Sequence, residues 1–248
     1  MNSNTVLYII IAALAGFIAG FMLANKLNGS EMAALRAQSS QPAPPGNSAV
    51  SKPGTAETLT DDELRSKIAE ADKNPSNFSF QKDLGVSLYR YAAMKQDEDL
   101  LAESVRILER AEQLNPKDFD VLVALGNAHF DIGFYKSELK SFETARKVYE
   151  KALEIKPSDA DVQTDLGLTY YLQEPPALDK AAAQLQKTSE ANPTHERSLQ
   201  FLVRTFVKQN RTADAQKALA KLKNLNSSYP AIPELESLVS GVPSSPAK

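Results

Sequence analysis

The chain has no cysteine, no tryptophan and only two histidines among its 248 residues. Without cysteine there are no disulfides and no thiolate metal ligands, and the redox compartment stays open. His129 and His195 are far apart in sequence and form no HxxxH pair, so no zinc motif is present. There is no glycine-rich phosphate loop either. An excess of one charge is also missing, because 28 Lys and Arg stand against 31 Asp and Glu. The resulting net charge of −3 is too small to draw nucleic acid. Paired acids such as Asp61-Asp62 and Asp159-Asp161 fall at helix starts, where the helix dipole favours carboxylates, and read as caps. These absences argue against a catalytic centre, a cofactor and a metal ion.

What the chain does have is repetition. The pair Leu125-Gly126 recurs as Leu84-Gly85 and Leu166-Gly167, each 41 residues away, and in weaker form as Leu202-Val203. Prolines close the units at Pro75, Pro116, Pro157 and Pro193. In each unit a small residue (Ser104, Ala145, Ala181, Ala215) stands four before a large one (Leu108, Tyr149, Leu185, Leu219), which puts both on one helical face. A third stripe position holds Ala111, Ala152, Thr188 and Leu222. Self-similarity at such a period marks a solenoid of helical hairpins, whose units bury their apolar faces only by stacking. A solenoid presents a long concave surface and no built-in catalytic cleft.

This pattern resembles the tetratricopeptide repeat (TPR) family over roughly residues 78 to 230, through its spaced Leu-Gly, small, large and Pro positions. The resemblance implies an all-α solenoid of about four helix-turn-helix units plus capping helices. The tryptophan sometimes found early in the first helix is replaced by Leu122 or Val162. The spacing departs from the family period of 34. From Leu-Gly to the small residue the four units take 20, 20, 15 and 13 residues. Seven extra residues are about two helical turns and keep the apolar stripe in phase, so the first two units are expected to have longer helices. In the third unit the extra residues fall at Glu174-Pro175-Pro176, where a longer loop is expected.

The termini read differently. Residues 1–5 are polar, and residues 6–24, VLYIIIAALAGFIAGFMLA, carry no charge and are long enough to cross a bilayer as a helix. The stretch lacks the basic start of a signal peptide and exceeds its usual apolar length. Ala12, Gly16, Gly20 and Ala24 make a small-residue stripe suited to helix pairing. Residues 25–58, rich in Pro, Ser and Ala, read as a flexible linker spanning about 30–35 Å on average. The repeat domain is expected over 59–240. It opens on a capping helix after Thr60 with Leu64, Ile68 and Ala71 inward, and closes on one carrying Ile232, Leu235, Leu238 and Val239. Residues 241–248 read as a tail.

In the family resembled, first helices line the concave face, so the resemblance points to positions two and five after each Leu. These are Val86 and Tyr89, Asn127 and Phe130, Leu168 and Tyr171, and Arg204 and Val207, with Asp131, Asp165, Arg197 and Lys208 adjoining. The groove so drawn is aromatic, acidic in the middle and basic towards the C-terminal end. The family's Lys/Asn clamp for a peptide carboxylate is not reproduced, since Lys82 is followed by Val86 where Asn is required. His129 takes a packing position, and His195 an inter-repeat turn or helix start. Two functions remain. One is a membrane-anchored, non-catalytic scaffold binding a protein or peptide client. The other is a structural homo-oligomer associating through the membrane stripe and the repeats. Lys26 and Arg36 after the span, with no Lys or Arg before it, favour a cytoplasmic repeat domain at an inner membrane and leave a periplasmic one open.

Overall fold

A computed structural model describes residues 61–241 as ten α-helices, with no strand among the described residues. The apolar stretch 6–24 with its small-residue stripe, the linker 25–58, the Thr60 cap and the tail beyond Gly241 lie outside the described residues. Among the described residues no helix is long and apolar enough to cross a membrane. Helix α1 (Asp61–Lys73) precedes four hairpins. These are α2 (Phe78–Lys95) with α3 (Glu98–Leu114), α4 (Phe119–Lys136) with α5 (Leu139–Ile155), α6 (Ala160–Leu172) with α7 (Leu178–Ala191), and α8 (Glu196–Lys208) with α9 (Thr212–Leu225). Helix α10 (Ile232–Ser240) closes the array.

One turn serves every junction between units. Asn115, Lys156, Asn192 and Asn226 each donate their backbone N–H to the carbonyl four residues back, at 2.8–3.0 Å. Each then accepts from the amide three residues on, at 3.1–3.2 Å. The next helix is capped at once. Asn77, Asp118, Asp159 and His195 accept from the third amide of α2, α4, α6 and α8, satisfying one of the donors left free at each helix start. The last turn, at Asn226, forms without the proline of the others, since Ser227 follows it. Inside units one, two and four the hairpin closes through a left-handed residue, Gln96, Ser137 or Asn210. The next amide in each case reaches back to Ala92, Gly133 or Phe206, closing the helix end with a six-to-one bond.

The length argument holds in detail. The first helices of units one and two run 18 residues and the second helices 17, against 13 and 14 in units three and four. Five residues at the end of the first helix and three at the start of the second, less one in the turn, make up the seven. In unit three the extra length is a loop, Gln173–Ala177, carrying the two prolines.

Helix pairs meet glycine against bulk. A Cβ on Gly126 would stand 2.5 Å from the Tyr149 ring, and one on Gly85 or Gly167 would stand 2.9 Å from Leu108 or Leu185. All the small and third-stripe residues, Ser104, Ala145, Ala181, Ala215, Ala111, Ala152, Thr188 and Leu222, are fully buried. Burying large neighbours such as Leu108, Leu122 and Leu185 stabilises the stack by roughly 1.5–3 kcal/mol each. At the ends, Leu64 and Ala71 of α1 join Leu88 and Ile107 in one cluster, with Ile68 packed beside it. Ile232, Leu235 and Val239 of α10 are buried, and Pro233 sits in its first turn. Leu238 is not part of that face, being 36% exposed, because it lies one residue off the stripe through Ile232, Leu235 and Val239.

Candidate functional site

First helices α2, α4, α6 and α8 pack on one another from unit to unit, whereas the second helices have no comparable contact between units. The ribbon of first helices is therefore the inside of the curve. Polar side chains lace it. Lys82 of α2 bridges Asp118 and Asp120 at 2.9 Å each. Arg197 of α8 pairs with Asp165 of α6 and lies 3.8 Å from Asp161, whose carboxylate also meets His195 Nε2 at 3.2 Å. Arg204 donates to Glu234 of α10 at 2.6 Å. These bridges tie units one to two, three to four, and four to the cap.

At Asp131 of α4, where units one and two meet, the pattern changes. The Tyr89 hydroxyl donates to Asp131 Oδ2 at 3.3 Å, and no cation lies against this carboxylate among the described residues. Burial pushes Asp131 up from an ordinary 3.8 to about 7, and the Asp165 charge adds to the rise while the Tyr89 bond opposes it. Burial pushes Asp165 up as well, against the pull of Arg197. Tyr135, one helical turn beyond Asp131, is raised to about 12 by burial and by the Asp131 charge. Tyr89 is driven well above its ordinary value by burial first, then by Asp131 and Asp165.

The expected groove residues divide. Tyr89 is buried except for its hydroxyl edge, which reaches Asp131. Asn127 is half-buried and accepts from the Tyr149 hydroxyl at 2.7 Å. Tyr171 is half-buried, its ring 6.4 Å from Phe201 with Lys208 Nζ 4.1 Å above it. Asp131, Asp165, Arg204 and Lys208 lie along the same ribbon. Two positions are corrected. Leu168 is fully buried, and Phe130 is 8% exposed, its ring edge-on to Phe142 of α5 at 5.6 Å. Both belong to the core, Phe130 by turning towards the second helix of its hairpin. Tyr135 was missed, although its place four after Asp131 was a usable signal once the longer helix was granted.

Elsewhere, His195 is the cap of α8, its Nδ1 accepting from Ser198 N–H at 3.3 Å. His129 is half-buried beside a hollow of about 550 Å³ lined also by Ala102, Val105, Ile132 and Ser141, and burial lowers its pKa. A second hollow of about 560 Å³ lies between the loops of units three and four, at Pro176, Asp179, Gln209 and Arg211. Among the described residues no three His, Asp or Glu side chains are grouped to hold a metal ion.

A family profile described as TPR repeat matches residues 138–174, from the N-cap of α5 through α6. Residues 138–174 thus match one tetratricopeptide repeat, and the other hairpins share its helix-turn-helix form. No curated protein matches the chain. Among solved structures, MamA protein is similar at a TM-score of 0.54 and 20% identity, over 68% of this chain and 83% of that one. MamA 41-end from Desulfovibrio magneticus RS-1 gives 0.54 and 20%, over 68% and 87%. YrrB, a TPR protein with an unusual peptide-binding site, gives 0.53 and 18%, over 71% and 84%. At these identities the likeness is one of fold.

Proposed function

We propose that the chain is a membrane-tethered, non-catalytic docking protein that holds a segment of another protein along the inner ribbon of α2, α4, α6 and α8. The observation that carries this reading is the ribbon itself, with polar side chains from four stacked units and the half-buried rings of Tyr135 and Tyr171. Such a surface suits a chain segment better than a small molecule, since a ligand pocket would be concave and enclosed. The peptide-binding site of YrrB, on the same fold, supports the reading by analogy. The tether is the uncharged stretch 6–24, and the positive-inside count favours the cytoplasmic side of an inner membrane for the repeats.

A photo-crosslinking residue in place of Tyr135 in the full chain tests the groove, with Glu109, exposed on α3, as the control position. A discrete adduct to another protein from position 135 and none from 109 is the expected result. Adducts from 109 alone, or equally from both, would refute the groove. Adducts of the chain to itself would favour the homo-oligomer, with Gly16 and Gly20 as the contact. A C-terminal alkaline phosphatase fusion settles the side of the membrane, and high phosphatase activity would place the repeats outside the cytoplasm.

A further inference from the structure

We propose that the place beside Asp131, where units one and two meet, receives a lysine or arginine side chain of the bound partner. The inference rests on the docking reading and adds the partner's chemistry to it. Along the inner ribbon the carboxylates of Asp118, Asp165 and Glu234 each meet a cation of the chain itself. Among the described residues Asp131 meets only the Tyr89 hydroxyl, and its charged neighbour is the like charge of Asp165. A carboxylate so covered is costly to keep ionised without a cation.

The fold does not demand an acid there. The same position in the other first helices, the thirteenth residue, is Arg90, Leu172 and Lys208. Asp131 is thus a local choice, and it brings two tyrosines with it. Tyr135, half-buried one turn on from the carboxylate, offers an aromatic surface to a cation, so an ammonium or guanidinium entering there gains both a charge-assisted hydrogen bond and aromatic contact. Charge complementarity selects against an acidic segment at this place, because Asp131 would repel it. Further along the ribbon Lys208 brings the opposite charge, which gives the bound segment a direction.

The test is selection of displayed random dodecapeptides on the full chain, followed by fluorescence anisotropy with synthetic copies of the enriched peptides. The expected result is a Lys or Arg shared at one aligned position, whose change to Gln weakens binding by about tenfold or more. On Asp131→Asn, checked for folding by circular dichroism, the Lys-to-Gln difference should shrink to about threefold or less. Enriched peptides without a basic residue, held equally by Asp131→Asn, would overturn this inference and leave the docking reading standing. Enriched peptides reproducing residues 25–58 of the chain would overturn it in favour of self-occupation. Absence of any enrichment would overturn the docking reading and this inference with it.

Discussion

The most direct perturbation of the central site is Asp131→Asn, which keeps the size and the acceptor for the Tyr89 hydroxyl while removing the charge. The folded chain holds the Asp131 proton up to about pH 7, whereas an unfolded chain releases it near 3.8. Between these values the folded state binds more protons than the unfolded one, so its stability falls as pH rises from about 4 to about 7 and then levels off. At ~1.4 kcal/mol per pKa unit, about three units give an upper limit of ~4 kcal/mol for the cost at pH 8. That figure already contains the Tyr89 bond, and solvent at the half-buried carboxylate screens part of the cost. We expect Asp131→Asn to be more stable than the native chain by ~2 kcal/mol at pH 8, or about 4–8 °C in melting temperature, and nearly equal at pH 4.5. Urea unfolding followed by circular dichroism at both pH values measures this, tryptophan fluorescence being absent from the chain. A variant less stable than the native chain at pH 8, or a gap of the same size at both pH values, would refute the reasoning.

Phe130→Ala should lose ~3–5 kcal/mol of folding free energy, since the ring fills the core against Phe142, whereas Tyr171→Ala should lose much less. Equal losses in urea melts would contradict the division of these two rings between core and groove. Gly126→Ala should cost ~1–3 kcal/mol by driving a methyl into the Tyr149 ring, and a neutral outcome would mean that α4 and α5 part without strain. Arg197→Gln leaves Asp165 covered and uncompensated and should cost ~3 kcal/mol at pH 8, less at pH 4.5 where the carboxyl takes a proton. A loss independent of pH would assign the role of Arg197 to packing.

The repeat was legible because its signals are steric and local. Leu-Gly against a small and a large residue fixes where two helices touch, and Gly85, Gly126 and Gly167 meet the very side chains that stand at the large positions. The seven-residue extensions were legible because two turns of helix preserve a stripe, and the third unit's loop because two adjacent prolines end one. The junction at Asn226 was harder, since it makes the same hydrogen bonds with serine in place of proline. The groove was only partly legible. Phe130 and Tyr171 share a register, yet one ring turns into its hairpin and the other stays half open, a choice made by the bulk of Phe142 in one unit and its absence in the next. Spacing reports which face a residue is on, and not how far a neighbour covers it.

The longer helices also explain why the acid stands where it does. In the short units the thirteenth residue ends the helix, as Leu172 ends α6 and Lys208 ends α8. An acid there would face the negative end of the helix dipole, and the lysine found in α8 suits that end. In α4 the helix runs five residues further, so Asp131 is carried away from the terminus and a full turn is added over it. That turn supplies Tyr135, four residues on and on the same face. Tyr89 reaches the same carboxylate from α2, which is extended by the same five residues and leans on α4. The insertion that breaks the repeat period therefore turns a helix end into a walled carboxylate, and the two units with lengthened helices are the two that build the site.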